Sequence, residues 1–267
     1  MKLVVKLGGS ILKDGNSDTI MEDLARQSGS NQLIVVHGGG DLVTDIAQRL
    51  GKEQKFIVSP EGIRSRFTDK ETSEIYTMVM SGMISKRLAA ALERRGVKAV
   101  SLAGVDGSLL LARRKKKLVT VDGRGRKILI DGGYTGKVEH VNSDLIERLL
   151  AGGYLPLISP VAISEEGEPL NIDGDRAAAS VAVAVGARAI VFLTNVDGLM
   201  MDGKLVEKIS AVQAGSFISS IGFGMQKKVM ASIECIEGGV SEAIICSGLK
   251  ANPVSMGLGH SNCTVIS

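Results

Sequence analysis

Cysteine, tryptophan and proline are scarce in this chain, and each scarcity removes a class of protein. The 267 residues hold three cysteines, Cys235, Cys246 and Cys263, none with a second Cys or His at ligand spacing. A disulfide-stapled domain and a structural zinc site therefore lack support, and the three are expected as buried thiols. Tryptophan is absent, and with five Phe and three Tyr the aromatics reach only 3%. That is too few for the stacking platforms of single-stranded nucleic-acid binders. Five prolines against 33 glycines favour tight turns over extended linkers. No apolar run matches a bilayer span: the longest, Ala177–Leu193, carries Gly186 and Arg188 and reads as a buried helix followed by a strand. Met1 leads almost directly into strand-like Lys2–Leu7, without a signal-peptide pattern. The expected location is the cytoplasm, with neither a membrane nor a nucleic acid as partner.

Neither sign of charge dominates, since 32 Lys and Arg face 29 Asp and Glu for a net +3. The excess is concentrated. Between Arg113 and Lys127 eight basic residues stand against Asp122 alone, a local +7 on a chain that is otherwise −4. Such a run is either a solvated hairpin or an electrostatic dock for an acidic partner.

Short β-branched runs ending in glycine, Leu3–Leu7 and Leu33–Val36, each precede a helical pattern. Glu71–Arg95 reads as one long helix stopping at Gly96, and Leu109–Ala112, Lys117–Val121 and Lys127–Ile130 as strands around an Asp122-Gly123 turn. Further on, Glu165–Gly167 marks a second hairpin, and helices are expected over Arg176–Val185, Ala211–Ile218 and Met225–Gly238. Strands alternating with helices predict a three-layer αβα sandwich around a mainly parallel sheet. We place a lobe boundary near residue 165: an N-terminal acceptor lobe over residues 1–165, carrying the basic hairpin at about 109–131, and a C-terminal nucleotide lobe over 166–267.

The P-loop, the dinucleotide fingerprint and the nucleophile elbow are all missing from the sequence. In their place Lys6-Leu7-Gly8-Gly9-Ser10 and His37-Gly38-Gly39-Gly40 end the first two strands. Two glycine nests at adjacent strand ends suit a polyphosphate, and a lysine beside one can neutralise charge on a phosphoryl group. Asn171, Asp173 and Asp175 alternate as if on one strand face, with Asp175 as the expected N-cap of an alanine-rich helix. Gly224-Met225-Gln226-Lys227-Lys228 puts lysines in an expected first helical turn, where the macrodipole disfavours cations unless an anion is near. Thr194-Asn195-Val196-Asp197-Gly198 could border a nucleotide base. No Asp/Glu pair has metal-ligand spacing, so no metal ligand is assigned and Mg²⁺ is expected to be held by phosphates and water.

KLGGS, HGGG, EGIRSRFTD, LNIDGD, TNVDG and GMQKK, in that order, resemble the amino acid kinase superfamily, which has a carbamate kinase-like fold, and within it the acetylglutamate kinase branch. The resemblance implies an ATP-dependent phosphotransferase acting on a carboxylate. It makes Lys6 and Lys228 the stabilisers of the transferring phosphoryl group, and Asp175 the residue that orients both. Gly8, Gly9, Gly38, Thr194, Asn195 and Gly224 would take the nucleotide, and Gly39, Gly40, Arg64 and Asn171 the acceptor. The second arginine in Gly62–Asp69 and Lys137 in Gly133-Tyr134-Thr135-Gly136-Lys137 depart from acetylglutamate kinases. They are similar instead to aminoadipate kinases of lysine biosynthesis, whose substrate is attached to a small acidic amino-group carrier protein. The resemblance then assigns carrier docking to Arg66, Lys137, Arg114, Lys115, Lys116 and Lys117, and implies a homodimer. Asn195, where aspartate is common, and Cys263 before Thr264 depart from the nucleotide-side pattern. Two alternatives remain open from sequence: a kinase for free N-acetylglutamate in arginine biosynthesis, and a nucleotide-binding regulator without catalysis.

Overall fold

In the computed structural model, which describes residues 1–13 and 17–267, eight strands form one central sheet. The chain begins with β1 (Lys2–Leu7), α1 (Gly9–Lys13), α2 (Ser17–Ser28), β2 (Gln32–His37) and α3 (Gly40–Arg49). A small ribbon, β3 (Phe56–Val58) with β4 (Arg64–Arg66), precedes α4 (Lys70–Thr77), which continues through a π-helical stretch, Met78–Ile84, into α5 (Ser85–Glu93). Next come β5 (Ala99–Ala103), β6 (Leu110–Arg114), the hairpin β7 (Lys117–Val121) and β8 (Lys127–Asp131), β9 (Gly136–Val141), α6 (Ser143–Ala151) and β10 (Leu155–Ser159). After β11 (Val161–Ile163) and β12 (Pro169–Asn171) follow α7 (Gly174–Ala184), β13 (Ala189–Thr194), the short pair β14 (Met200–Met201) and β15 (Lys204–Leu205), and β16 (Lys208–Ile209). The chain closes with α8 (Ala211–Ser216), α9 (Phe223–Glu237), β17 (Glu242–Ser247), α10 (Pro253–Leu258) and β18 (Cys263–Ile266).

The central order is β16-β18-β17-β13-β1-β2-β10-β5, parallel except where β18 runs against β17. Strand alternation then sorts the core. Val4, Ile34, Val36, Ile190 and Phe192 face α6, α7 and α9, while Leu3, Val5, Leu33, Val35 and Val191 face α2, α3, α5 and α10. These two apolar clusters make the expected three-layer sandwich. Cys235, Cys246 and Cys263 are buried free thiols, and Ala177–Leu193 is a buried helix and strand as expected. Among the described residues no helix is long and apolar enough to cross a membrane.

Both hairpins form where the turn residues put them. In the first, Lys117 pairs Asp131 and Val121 pairs Lys127, and the Asp122 carboxylate accepts from the Arg124 and Arg126 amides at 2.9 Å. In the second, the Gly167 amide donates to the Ser164 carbonyl.

Three local expectations are corrected. Asp173, not Asp175, caps α7: its carboxylate accepts from the amides of Asp175 at 3.0 Å and Arg176 at 3.2 Å. The strand ends at Asn171, so Asn171, Asp173 and Asp175 share no strand face, and Asp175 falls inside the helix, buried and free of capping duty. The helix bearing Lys227 and Lys228 starts at Phe223, which moves both lysines into its second turn. The long helix is continuous over Lys70–Glu93, but its middle unwinds to π geometry. That stretch lets Ser81 share a 2.9 Å hydroxyl bond with Ser159 at the end of β10; π segments of this kind concentrate at functional sites.

Candidate active site

Parallel strands deliver their carboxyl ends to one edge, and in open α/β sheets ligands bind there. At that edge β1 and β2 each run into glycine. The Gly8 amide donates to the Leu193 carbonyl at 2.9 Å and the Gly38 amide to the Leu7 carbonyl at 2.8 Å, so these two N–H groups extend the sheet and are not offered to a ligand. Gly9, Gly39 and Gly40 stand at helix starts, where N–H groups have no intrahelical acceptor. They supply the open donors of the two nests. The nests touch: a Cβ at Gly9 would lie 2.9 Å from the Gly39 nitrogen and 3.1 Å from its Cα. On its other side Gly39 abuts Ile84 Cδ1 and Met80 Sδ in the π stretch.

Alternation also decides where Lys6 points. It shares the face of Val4, the one covered by α7 and α9, and there its Nζ lies 2.6 Å from Asp175 Oδ1. Lys228 reaches the other oxygen of the same carboxylate from α9, at 3.3 Å. All three side chains are at most 13% exposed. Burial alone would raise the Asp175 carboxyl, but the two ammonium groups outweigh it and hold the pKa down to about 2. Burial pulls Lys228 below the ordinary lysine value, with Asp175 opposing. Two cations sharing one anion leave a net positive charge beneath the nests. Asp173 and Lys227 make a second pair beside this triad, Oδ2 to Nζ at 3.2 Å.

His37 points to the opposite face and is fully buried. Its Nδ1 lies 3.0 Å from the Gly38 carbonyl, which can only accept, so Nδ1 carries the proton and Nε2 accepts from the Ser85 hydroxyl at 2.7 Å. Burial pushes its pKa down to about 4 from 6.5, with Lys6 adding to the fall. The unfolded chain therefore takes up a proton that the folded one refuses. Stability is full above about pH 6.5 and is eroded as pH falls toward 4, by on the order of 3 kcal/mol. Melting temperature followed across that range should show the slope in wild type and not in His37→Asn, which keeps the donor to Gly38; equal slopes would place the acid sensitivity elsewhere.

Three of the sequence motifs meet at Thr68. Its hydroxyl accepts from Asn171 Nδ2 at 2.9 Å, and its carbonyl accepts from the Tyr134 amide at 2.7 Å. Thr68 is fully buried, and it joins the loop after β4, the loop before β9 and the end of β12. On the far side of the sheet edge, Thr194 ends β13 and its carbonyl accepts from the Gly248 amide at 2.7 Å, with exposed Asn195 following. Gly224 is exposed in the first turn of α9. Among the described residues no group of three or more His, Cys, Asp or Glu side chains could hold a metal ion.

Residues 1–247 match the amino acid kinase family. The chain belongs to that family. A protein of Nitrosopumilus maritimus (strain SCM1), provisionally named [LysW]-aminoadipate/[LysW]-glutamate kinase, is 51% identical over 99% of this chain and 98% of its own length. The [LysW]-aminoadipate/[LysW]-glutamate kinase of Saccharolobus islandicus (strain L.S.2.15 / Lassen #1) is 44% identical over the same shares. Among solved structures, the N-acetylglutamate synthase of Neisseria gonorrhoeae, complexed with coenzyme A and N-acetyl-glutamate, superposes with a TM-score of 0.82 at 25% identity. It covers all of this chain, which spans 59% of that longer protein.

For this amino acid kinase the six expected carrier-docking residues divide. Lys116, Lys117 and Lys137 are exposed. Arg114 is bound inward: Nη1 donates to Glu168 Oε2 at 2.8 Å, Nε to the Gly133 carbonyl at 2.7 Å, and the guanidinium sits 4.2 Å from the Tyr134 ring centre. Lys115 is half-buried toward Asp173, Arg176 and Lys227, and burial with the neighbouring cations lowers its pKa. Arg66 is tied to α3. The +7 read along the chain is also diluted in space. Arg113 pairs Glu139, and a cleft of about 560 Å³ beside Arg114 and Lys116 is lined by Glu165, Glu166 and Glu168 as well. Arg64 is exposed, stacked 3.9 Å from the Phe56 ring centre. Asp173 and Lys227 stand in motifs read from the sequence but carried no assigned role there; Thr68 and Ser85 are the site residues not singled out from sequence, and neither left a signal.

Proposed function

We propose that this chain transfers the γ-phosphoryl group of ATP to the side-chain carboxylate of aminoadipate, or of glutamate, carried by a small acidic amino-group carrier protein. The product is an acyl phosphate for lysine, or arginine, biosynthesis. The observation that carries the transfer is the buried Lys6–Asp175–Lys228 triad set beneath two touching glycine nests. The names of the 51% and 44% identical relatives support the acceptor.

A carboxylate approaching a triphosphate brings anions together, so the protein must supply positive charge and alignment, and needs no covalent nucleophile. In this reading Gly9, with the β13 end at Thr194 and Asn195 and the α9 start at Gly224, receives the nucleotide. Gly39, Gly40, Arg64 and Asn171 hold the acceptor. Lys6 and Lys228 stabilise the charge that develops on the phosphoryl oxygens, and Asp175 keeps both ammonium groups aimed. No side chain of this chain is assigned to Mg²⁺, which would be held by the nucleotide's phosphates and water and would neutralise phosphate charge there. Residues 1–165 then act as the acceptor lobe and 166–267 as the nucleotide lobe of a cytoplasmic homodimer.

Carrier recognition in this reading belongs to Lys116, Lys117, Arg124 and Lys127, all exposed on or beside the hairpin, with Lys137 near them in sequence order. Each exposed pair contributes about 0–1 kcal/mol, so single substitutions should do little. Changing Lys116, Lys117, Arg124 and Lys127 together to Ser should raise KM for carrier-linked acceptor roughly tenfold at low salt, an effect that added salt erases. Parallel assays with free N-acetylglutamate separate the readings. Wild-type preference for the free amino acid, or an unaltered carrier KM in the variant, would leave a kinase for the free substrate.

A further inference from the structure

We infer that Arg66 is a positioning residue that fixes the Gly39–Gly40 corner of the acceptor nest. The inference deepens the carboxylate-kinase reading and rests on it, and it takes Arg66 out of the surface that meets the carrier.

Arg64 and Arg66 lie on one face of β4, and both guanidinium groups stack on Phe56, at 3.9 and 5.1 Å from its ring centre. There they part. Arg64 stays exposed, whereas Arg66 Nη2 donates to the Gly40 carbonyl at 2.7 Å and lies 3.0 Å from Thr44 Oγ1, and Nη1 donates to Gln54 Oε1. Thr44 Oγ1 itself donates to the same Gly40 carbonyl at 3.1 Å. Gly40 is the first residue of α3, and a carbonyl there needs only its helical partner, so two extra donors from side chains are a surplus that restrains it. Its neighbour Gly39 is already walled by Met80 and Ile84 and by Gly9, and the preceding Gly38 is held through His37 and Ser85. Arg66 adds a restraint on the carbonyl of Gly40, the next residue of the corner.

Electrostatics point the same way. A cation at a helix N-terminus is opposed by the macrodipole, and this one is half-buried, which lowers its pKa; the Tyr76 and Asp41 side chains face it favourably and Arg64 unfavourably. The arrangement becomes favourable when an anion occupies the nest. An acceptor carboxylate would do so, and the guanidinium then adds positive potential without touching it.

Arg66→Lys keeps the charge but cannot span Gly40, Thr44 and Gln54 with one point donor. We expect kcat to fall roughly tenfold with carrier-linked and with free acceptor alike, because a loosened nest misaligns both. The loss should be the same at low and high salt, with KM for the carrier-linked acceptor unchanged. Hydrogen exchange at the Val43 amide, which donates to the Gly39 carbonyl at 3.0 Å, should quicken roughly tenfold as the first turn of α3 loosens. Gln54→Leu, which removes only the outer partner, should give a smaller loss of the same pattern and serves if Arg66→Lys does not fold. A raised carrier KM that fades with salt at full kcat would make Arg66 a docking cation and overturn the inference. A lowered melting temperature with kcat intact would make it a mere strut and overturn the inference equally. If wild type phosphorylates neither acceptor, the carboxylate-kinase reading has failed, and unchanged Val43 exchange would still overturn the restraint on its own.

Discussion

Lys228→Ala is expected to lower kcat by roughly 10² or more, because it removes charge stabilisation made mainly in the transition state. Lys6→Ala should do the same. Neither loss should unfold the protein. Asp175 sits between two ammonium groups, at 2.6 Å and 3.3 Å, so removing one lysine leaves the buried carboxylate still paired. Removing both leaves it alone, and breaking a buried ion pair costs about 3–5 kcal/mol. The double variant should therefore melt far below either single one, and adding Asp175→Asn should restore its melting temperature without restoring turnover. Asp175→Asn alone should reduce kcat while sparing acceptor KM, since Asp173 rather than Asp175 caps α7. The pH profile supplies an independent check. Because burial lowers the Lys228 pKa, alkaline loss of turnover should begin below the range of a free lysine. Steady-state rates of the single variants within a fewfold of wild type would remove these residues from the chemistry.

How much of this was legible in the sequence varies with the range of the interaction. Periodicity located most of the central sheet and its long covering helices, because a strand buried on both faces must read as a continuous apolar run, and the turn residues Asp122-Gly123 and Glu165–Gly167 located both hairpins; the short strand β16 and the six-residue α10 carried too little pattern to be read. Lys6 at the end of the first strand was visible for the same reason: a lysine closing a run such as Lys2–Leu7 has no apolar explanation. Capping at α7 was not. Asp173 and Asp175 are both acceptable cap residues two positions apart, and only the lysines of β1 and α9, distant in sequence, decide that Asp175 is the one drawn into the core. The basic run misled in a similar way. Counting along the chain makes Arg113–Lys127 a uniform +7 field, yet Arg113 and Arg114 turn to Glu139 and Glu168 and Lys115 turns inward, because alternate residues of β6 and its neighbours face different surroundings. The π stretch in Lys70–Glu93 had no signature, since its apolar spacing also fits an α-helix.

Gly9→Ala carries the other large expected effect, and its sign separates local from tertiary control. Gly9 opens α1, and by helix propensity alone alanine there should stabilise the protein by up to about 1 kcal/mol. The new methyl, however, would sit 2.9 Å from the Gly39 nitrogen, 3.1 Å from its Cα and 3.3 Å from the Gly40 nitrogen. Those atoms are backbone, so no side chain can swing aside. Gly39 cannot retreat either, with Ile84 and Met80 behind it and Gly40 bonded to Arg66 at 2.7 Å. The two nests must therefore separate by several tenths of an ångström or more, at the place where the phosphoryl donor and the carboxylate are to be aligned. A misplacement of about 1 Å can cost roughly 10² in turnover, so a loss approaching that size is expected. The loss should appear in kcat with either acceptor, while circular dichroism stays that of wild type. Gly215→Ala in α8 is the matched control: its nearest neighbour would be Ile233 Cδ1 at an ordinary 3.9 Å, so it should leave kcat unchanged and hold or raise the melting temperature. If Gly9→Ala behaves like Gly215→Ala, the two glycine loops are ordinary turns and the phosphoryl group is aligned elsewhere.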